Sequence, residues 1–111
     1  MRLALMTLMC GLCGFCQETG YEWTTTGSLI TARRDACAAT LPNGQVLVSG
    51  GEGESGPLAS VEVYGPGPTF VEITALDAAR ALHTCTVLLD GRVLVVGGRA
   101  GGKAIASAAY G

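Results

Sequence analysis

The sequence has few charged side chains, few aromatic residues and a single histidine. Charged residues make up 14% of the chain and the formal net charge is -2, so no basic surface favours nucleic acid. No apolar run reaches the roughly 20 residues of a transmembrane helix, so the mature chain is expected to lack one. What is abundant is glycine, with 17 residues among 111. Together with many Val, Leu and Thr residues, it favours short strands joined by tight turns.

The first sixteen residues differ from the rest of the chain. Arg2 precedes an apolar run from Leu3 to Phe15, and polar Gln17 and Glu18 end it. A short positive start followed by an apolar core is typical of a secretory signal. Residues 1–16 are therefore predicted to be a signal peptide or lipoprotein signal. We expect the protein to be exported, whether secreted, periplasmic or anchored at the surface.

Three cysteines in this segment, Cys10, Cys13 and Cys16, form a C-x2-C-x2-C pattern. An iron–sulfur or zinc site there needs a fourth ligand, and the next cysteine is Cys37. The pattern is interpreted instead as small apolar residues of a signal core. In a third interpretation, Cys16 is the lipidated first residue of a mature lipoprotein, although Phe15 stands where Gly or Ala is usual.

The main feature of the sequence is an internal repeat with a spacing of 47 residues, the distance from Gly51 to Gly98. At this spacing Val46-Leu47-Val48 aligns with Val93-Leu94-Val95. The other matched pairs are Arg33 with Arg80, Leu41 with Leu88, Gly44 with Gly91, Gly50 with Gly97, Trp23 with Phe70 and Leu29 with Leu76. Near the end, Tyr64-Gly65 aligns with Tyr110-Gly111 at a spacing of 46, as if one residue were lost. Such self-similarity indicates a repeat architecture.

Each repeat is predicted to consist of strands. The predicted strands cover residues 37–41, 45–49, 59–64 and 69–73 in the first repeat, 84–88, 92–96 and 104–110 in the second, and a further strand near 21–26. Asn43-Gly44 and Asp90-Gly91 favour type I′ hairpin turns, which need positive φ. The glycine doublets that end two strands permit a close chain approach.

These motifs resemble the kelch repeat of β-propellers, including the propeller of galactose-oxidase-like proteins. The resemblance rests on the matched arginines, the turn-and-strand runs, the glycine doublets and Tyr64 followed six residues later by aromatic Phe70, where Trp is usual. It covers the chain from about Trp23 onward. It implies an all-β fold, a partial β-propeller of two kelch-type four-stranded antiparallel blades. The repeats are about 29–73 and 76–111, and the strand near 21–26 completes a blade.

Two blades do not close a ring, because propellers use roughly four to eight. Their apolar sides need neighbours. We therefore expect either self-association or neighbouring blades from a longer chain.

The resemblance also implies structural roles for the motif residues. Arg33 and Arg80 are expected to hold carbonyls or a carboxylate between blades, and Glu62 is a strand residue that meets solvent or such an arginine. His83 is interpreted as a strand-entry residue rather than a catalytic base. The aromatic side chains Trp23, Tyr64, Phe70 and Tyr110 are expected to pack within blades rather than to stack on a sugar, whereas unmatched Tyr21 is more open to a binding role.

Cys37 and Cys85 lie one position out of register in the repeat alignment. Their side chains should then point to opposite sheet faces. We expect two separate buried thiols.

The run from Gly51 to Gly56 matches the G-x-G-x-x-G pattern of dinucleotide sites. Such a site needs a helix next, but Pro57 and a predicted strand follow. The run is interpreted as a glycine-rich propeller loop.

The predicted function is a non-catalytic module that binds a protein or glycan, or assembles, through loops on a rigid scaffold. The candidate loops carry Glu52 and Glu54 in one repeat, and Arg99 and Lys103 in the other. No catalytic, cofactor-binding or metal-binding residue is assigned. The alternatives are a fragment of a galactose-oxidase-like copper-radical oxidase, which needs tyrosine and histidine ligands and a thioether-forming cysteine, and a purely structural self-assembling ring.

Overall fold

The computed structural model describes residues 22–111, and every regular element in that range is a β-strand. The strands are β1 (Cys37–Thr40), β2 (Val46–Ser49), β3 (Glu52–Gly53), β4 (Gly56–Pro57), β5 (Val61–Tyr64), β6 (Phe70–Ile73), β7 (Thr84–Val87), β8 (Val93–Val96), β9 (Arg99–Ala100), β10 (Lys103–Ala104) and β11 (Ala108–Tyr110). They form small antiparallel sheets, none closed into a barrel. The all-β prediction is confirmed. The described part of the chain contains no helix long and apolar enough to cross a membrane.

The first sheet has four strands in the order β1-β2-β5-β6. Each strand pairs with the next strand of the same sheet, and Leu47 faces Ala39 on one side and Val63 on the other. Leu47, Val63 and Val61 are buried, so the pleat gathers apolar side chains on one face. Short connections between sequential strands make this meander the simplest arrangement.

The second sheet has three strands, β7-β8-β11, in the order of the first three strands of the first sheet. A strand near 21–26 was expected to complete a blade, but residues 22–26 form no strand. Trp23 is fully exposed, at 103% of its reference area.

The spacing of 47 residues is kept to the end of the chain, which corrects the alignment of Tyr110. Leu47 faces Val63 in the first sheet, and its counterpart Leu94 faces Tyr110 in the second. Tyr110 is therefore the counterpart of Val63, not of Tyr64. Gly111, which exchanges backbone hydrogen bonds with Val93, takes the place of Tyr64. The lost residue was an artefact of matching one tyrosine to the other.

The hairpin turns differ from the expected type I′ turns. Only the glycines, Gly44 and Gly91, have positive φ, at 91° and 90°. The N–H of Gly44 donates to the carbonyl of Leu41, and the N–H of Leu41 donates to the carbonyl of Gln45. The side chain of Asn43 accepts a hydrogen bond from the N–H of Gln45 at 3.0 Å, so it stabilises a longer loop with one glycine in the left-handed region.

The glycine doublets lead into two small hairpins, β3-β4 and β9-β10. The first was expected to be a loop, and the second divides the predicted strand 104–110 into β10 and β11. Each hairpin is tied to the segment before the first strand of its own sheet. The bridges are Arg34 with Glu52 and Ala81 with Arg99.

The two sheets pack against each other through one face each. Leu47, Val61 and Val63 of the first sheet and Val93 of the second form the buried cluster, and Leu41, Leu76, Cys85 and Val87 pack around it. Burying one such side chain contributes about 1.5–3 kcal/mol. The opposite face of the second sheet is uncovered. We call it the open face, and it carries Thr84, Thr86, Leu94, Val96, Ala108 and Tyr110.

Cys37 and Cys85 form a disulfide bond, so the expectation of two separate thiols was wrong. The inference that their side chains point to opposite faces of equivalent sheets was sound. When equivalent sheets stack in the same orientation, however, opposite faces are the ones that meet. The two Cα atoms lie 6.1 Å apart, within the range that a disulfide spans.

Candidate functional site

The guanidinium of Arg33 joins the two central strands of the first sheet at the end where the β3-β4 hairpin begins. Its Nη1 donates to the carbonyls of Gly50 and Ser60 at 2.8 and 2.9 Å. Its Nη2 donates to Oγ of Ser60 at 2.8 Å and to the carboxylate of Glu62 at 2.7 Å. These carbonyls lie beyond the strand ladder, and Arg33 satisfies them.

Arg80 makes the same contacts in the second sheet. Its Nη1 donates to the carbonyls of Gly97 and Ser107 at 3.1 and 2.9 Å. Gly97 follows Gly50, and Ser107 follows Ser60, by the same 47 residues that separate the arginines. No carboxylate replaces Glu62, because its counterpart is Ala109. Asp77, at 3.5 Å and largely exposed, is the nearest acidic partner.

Glu62 is completely buried, at 0% exposure, yet it remains charged. Burial alone would raise the pKa of its carboxyl. The N–H groups of Ile30 and Thr31, together with Arg33, outweigh burial and lower the pKa below its ordinary value of 4.5. The buried ion pair therefore fixes the incoming segment 30–33 on the sheet.

Ser49 and His83 form a polar contact between the two sheets. Oγ of Ser49 lies 2.9 Å from Nε2 of His83, and both side chains are buried. Nδ1 of His83 is buried without a hydrogen-bond partner among the described residues. Burial lowers the pKa of His83 below its ordinary value of 6.5, and the charge of Arg80 lowers it further, against an opposing effect of Ser49. The ring is thus neutral at neutral pH, which suits a packing role.

The first glycine doublet lies against this contact. A Cβ on Gly50 would lie 2.5 Å from the carbonyl oxygen of Arg80 and 2.7 Å from the ring of His83. Gly51 donates its N–H to that same carbonyl at 2.8 Å. The counterpart of Gly50 is Gly97, whose nearest contact to such a Cβ is 3.6 Å away. The crowding at Gly50 therefore arises from the neighbouring sheet.

The two small hairpins project from the same end of the stacked sheets and differ in charge. In β3-β4, Glu52 pairs with Arg34 at 2.9 Å, and Glu54 is exposed at the tip. In β9-β10, Arg99 and Lys103 are exposed. The candidate loop residues therefore lie on neighbouring projections, one acidic at its tip and one basic.

The predicted aromatic residues do not all pack alike. Tyr64 and Phe70 lie on adjacent strands with ring centroids 4.9 Å apart and tilted by 52°. Tyr110 lies on the open face, where the guanidinium of Arg92 is 4.2 Å from its ring centroid. Trp23 contributes nothing to the core of the described chain. Tyr21, Cys16 and the rest of the predicted signal lie outside the described residues.

Chemistry-bearing groups are sparse across residues 22–111. No three His, Cys, Asp or Glu side chains in that range lie close enough together to hold a metal ion. The G-x-G-x-x-G run forms the β3-β4 hairpin, and strand β5 follows it rather than a helix.

Sequence reasoning missed three serines of this region. Ser60 and Ser107 recur at the repeat spacing, so the repeat held a signal for them. Ser49 aligns with Val96, and its partner His83 aligns with Ala36. The sequence indicates that contact only in that each partner differs in residue type from its counterpart in the other repeat.

No family model matches the chain. A part of the chain is similar to the spermatocyte protein spe-26 of Caenorhabditis elegans, with 41% identity over 78 residues. That alignment covers 69% of this chain and 13% of the relative.

Proposed function

We propose that this chain is a non-catalytic kelch-type β-propeller segment of an exported protein, in which two blades carry hairpins that bind a protein or glycan partner. The first and second sheets are the two blades, and the second lacks its fourth strand. The observation that carries the proposal is the pair of hairpins, β3-β4 and β9-β10, which project side by side from stacked sheets. Loops on a rigid scaffold are the usual carriers of recognition.

The rigidity of the scaffold supports this proposal. Each hairpin is tied to the segment before its sheet, and Arg33 and Arg80 tie the strand ends behind it. The disulfide between Cys37 and Cys85 further restricts movement between the sheets. A disulfide is also in keeping with an oxidising compartment outside the cell.

The charges of the hairpins indicate the kind of partner. Glu54 is exposed on one projection, and Arg99 and Lys103 are exposed on the other. A partner that contacts both hairpins therefore presents basic and acidic groups side by side, as a protein surface does. Alternatively, an acidic glycan binds the basic hairpin alone.

Site-specific photo-crosslinking tests the proposal. A benzophenone side chain replaces Ser55 in one hairpin, exposed Ala104 in the other, or Asn43 in the turn at the opposite end as a control. The probes are an immobilised glycan array and the extracellular proteins of the source cells. We expect discrete cross-links or glycan binding that depend on the hairpin positions. Cross-linking from Asn43 to the same products, or none from either hairpin, would overturn the proposal.

A further inference from the structure

One edge of the second sheet is unoccupied. In the first sheet β6 pairs with the outer edge of β5, but no described strand pairs with the corresponding edge of β11. A cavity of about 610 Å³ lies there, lined by Val93, Val95, Gly111 and the segment 73–77. Val71 and Ile73, on the apolar face of β6, are exposed beside this gap, at 56% and 44%.

The segment 23–26 is the repeat counterpart of β6. Trp23 precedes Phe70 by 47 residues, and Thr26 precedes Ile73 by the same spacing. The segment also lies beside the first sheet where β6 lies beside the second sheet. The hydroxyl of Thr26 contacts that of Tyr64 at 2.5 Å, while Ile73 lines the cavity together with Gly111, the counterpart of Tyr64. Residues 23–26 are therefore placed as the fourth strand of a sheet that would precede the first sheet.

We propose that residues 23–26 of a second copy of this chain pair with β11 and complete the second sheet, so that copies join head to tail. This proposal rests on the proposed kelch-type blades. The register between the two copies follows from the β5-β6 pairs when the repeat spacing of 47 residues is applied to each strand. Ala108 faces Thr26, Ala109 faces Thr25, Tyr110 faces Thr24 and Gly111 faces Trp23. Main-chain pairing along an open edge is a common mode of recognition.

The side chains at this junction complement each other in size. In the first sheet Phe70 lies beside Tyr64. At the junction the larger Trp23 lies beside Gly111, which leaves room for it. An indole that is fully exposed in the single chain would fill the cavity and cover Val71 and Ile73.

The departures from the repeat also match across the junction. Within the chain, Ser49 meets His83, and the corresponding residues at the junction are Val96 and Ala36. The polar pair is replaced by an apolar pair on both sides at once. Val96 is 41% exposed in the single chain. The disulfide pair of Cys37 and Cys85 becomes Thr84 and Ala38, so the junction between copies has no covalent link.

Backbone groups at the two ends are complementary as well. Within the chain, Gly51 donates to the carbonyl of Arg80, and Arg80 donates to the carbonyl of Leu58. The corresponding groups between copies are the N–H of Gly98 with the carbonyl of Arg33, and the N–H of Arg33 with the carbonyl of Ile105. None of these four groups has a backbone partner within residues 22–111. Head-to-tail contacts of this kind close into rings when the rotation permits, and two to four copies supply the roughly four to eight blades of a propeller.

Solution mass and tryptophan emission of the whole oxidised chain test the proposal together. Trp23 is the sole tryptophan, so its emission reports on this junction alone. On concentration, we expect the mass to rise from 11.3 kDa to a discrete multiple, with a parallel blue shift of the emission. Trp23→Ala should weaken association at least about thirtyfold, because a buried tryptophan is a typical hot spot. Leu89→Ala, which removes an equally exposed side chain from a turn, should leave the mass unchanged.

Three outcomes would overturn the proposal. One is a folded monomer with solvent-exposed Trp23 at all concentrations. Another is association of the unaltered chain without a blue shift, to an extent that Trp23→Ala does not reduce, and the third is aggregation without a discrete mass. These outcomes favour another occupant of the edge, such as neighbouring blades of a longer polypeptide. They leave the hairpin proposal untouched, because its cross-linking test is separate.

Discussion

Oγ of Ser49 lies 2.9 Å from Nε2 of His83, and this contact joins the two sheets at a position where both partners depart from the repeat. The ring is buried against Gly50, and its Nδ1 has no partner among the described residues. A protonated ring would bury a second N–H without an acceptor. The junction between the sheets is therefore sensitive to the charge of His83.

Acid should destabilise the fold through His83. The folded-state pKa lies below the unfolded value of about 6.5, so the unfolded state binds the proton first. The contribution of neutral His83 to stability is therefore fully present above about pH 6.5. It falls as the pH drops below that value, by at most about 1.4 kcal/mol per pH unit. Urea unfolding at about pH 8 and about pH 5.5 measures the difference. His83→Gln should remove this component, and an equal loss in that variant would contradict the assignment.

Reduction of the disulfide between Cys37 and Cys85 should lower the free energy of unfolding by about 4 kcal/mol. This figure follows from closure of a loop with a sequence separation of 48 residues. Urea unfolding with and without dithiothreitol measures it. The double variant Cys37→Ala/Cys85→Ala keeps the other cysteines and serves as the control. It should match the reduced chain and not respond to the reductant; a response would point to a different cysteine pair.

The strand content of this fold could be predicted because the signals for a strand and its ends lie within a few residues of each other. The repeat period could be predicted because the same residue types recur at one spacing. The apolar runs around Val46 and Val93, each bounded by a turn glycine and a glycine doublet, specify a strand and its two ends. Repetition at one spacing then predicts that the two units resemble each other. The sequence was sufficient for the all-β class.

Features that depend on how the units stack could not be predicted in the same way. The disulfide requires knowing that opposite faces of successive sheets meet, which no spacing within one sheet reveals. The alignment of Tyr110 failed because identical residue types were matched, whereas the strand pairing makes Tyr110 the counterpart of Val63. The contact between Ser49 and His83 pairs two departures from the repeat, and a search for matches passes over departures.

Loss of the Arg33 side chain should be strongly destabilising because Glu62 stays buried. Arg33→Met leaves a carboxylate at 0% exposure without its ion pair, which costs about 3–5 kcal/mol. Arg33→Met/Glu62→Leu should recover part of this loss by removing the unpaired charge. Urea unfolding measures both variants. Arg34→Met, which breaks an ion pair with an exposed guanidinium, is the control, and its cost should stay below about 1 kcal/mol. Similar losses for Arg33→Met and Arg34→Met would show that the burial of Glu62 does not matter.

Alanine at Gly50 and at Gly97 should have unequal costs, although the two glycines occupy the same repeat position. Both have a left-handed backbone, with φ of 61° and 69°, so either substitution costs about 1–2 kcal/mol in backbone strain. At Gly50 the new Cβ also meets the carbonyl oxygen of Arg80 at 2.5 Å, whereas at Gly97 it meets nothing closer than 3.6 Å.

Gly50→Ala should therefore lower the free energy of unfolding at least about twice as much as Gly97→Ala, because only Gly50 adds a steric clash to the backbone strain. Urea unfolding at low protein concentration, where the chain is monomeric, measures this difference. At high concentration the difference between the two losses should become smaller. A second copy would place the carbonyl of Arg33 against Gly97, as the carbonyl of Arg80 lies against Gly50 within the chain. Equal costs at low concentration would mean that the two sheets do not approach as closely as the structure has them.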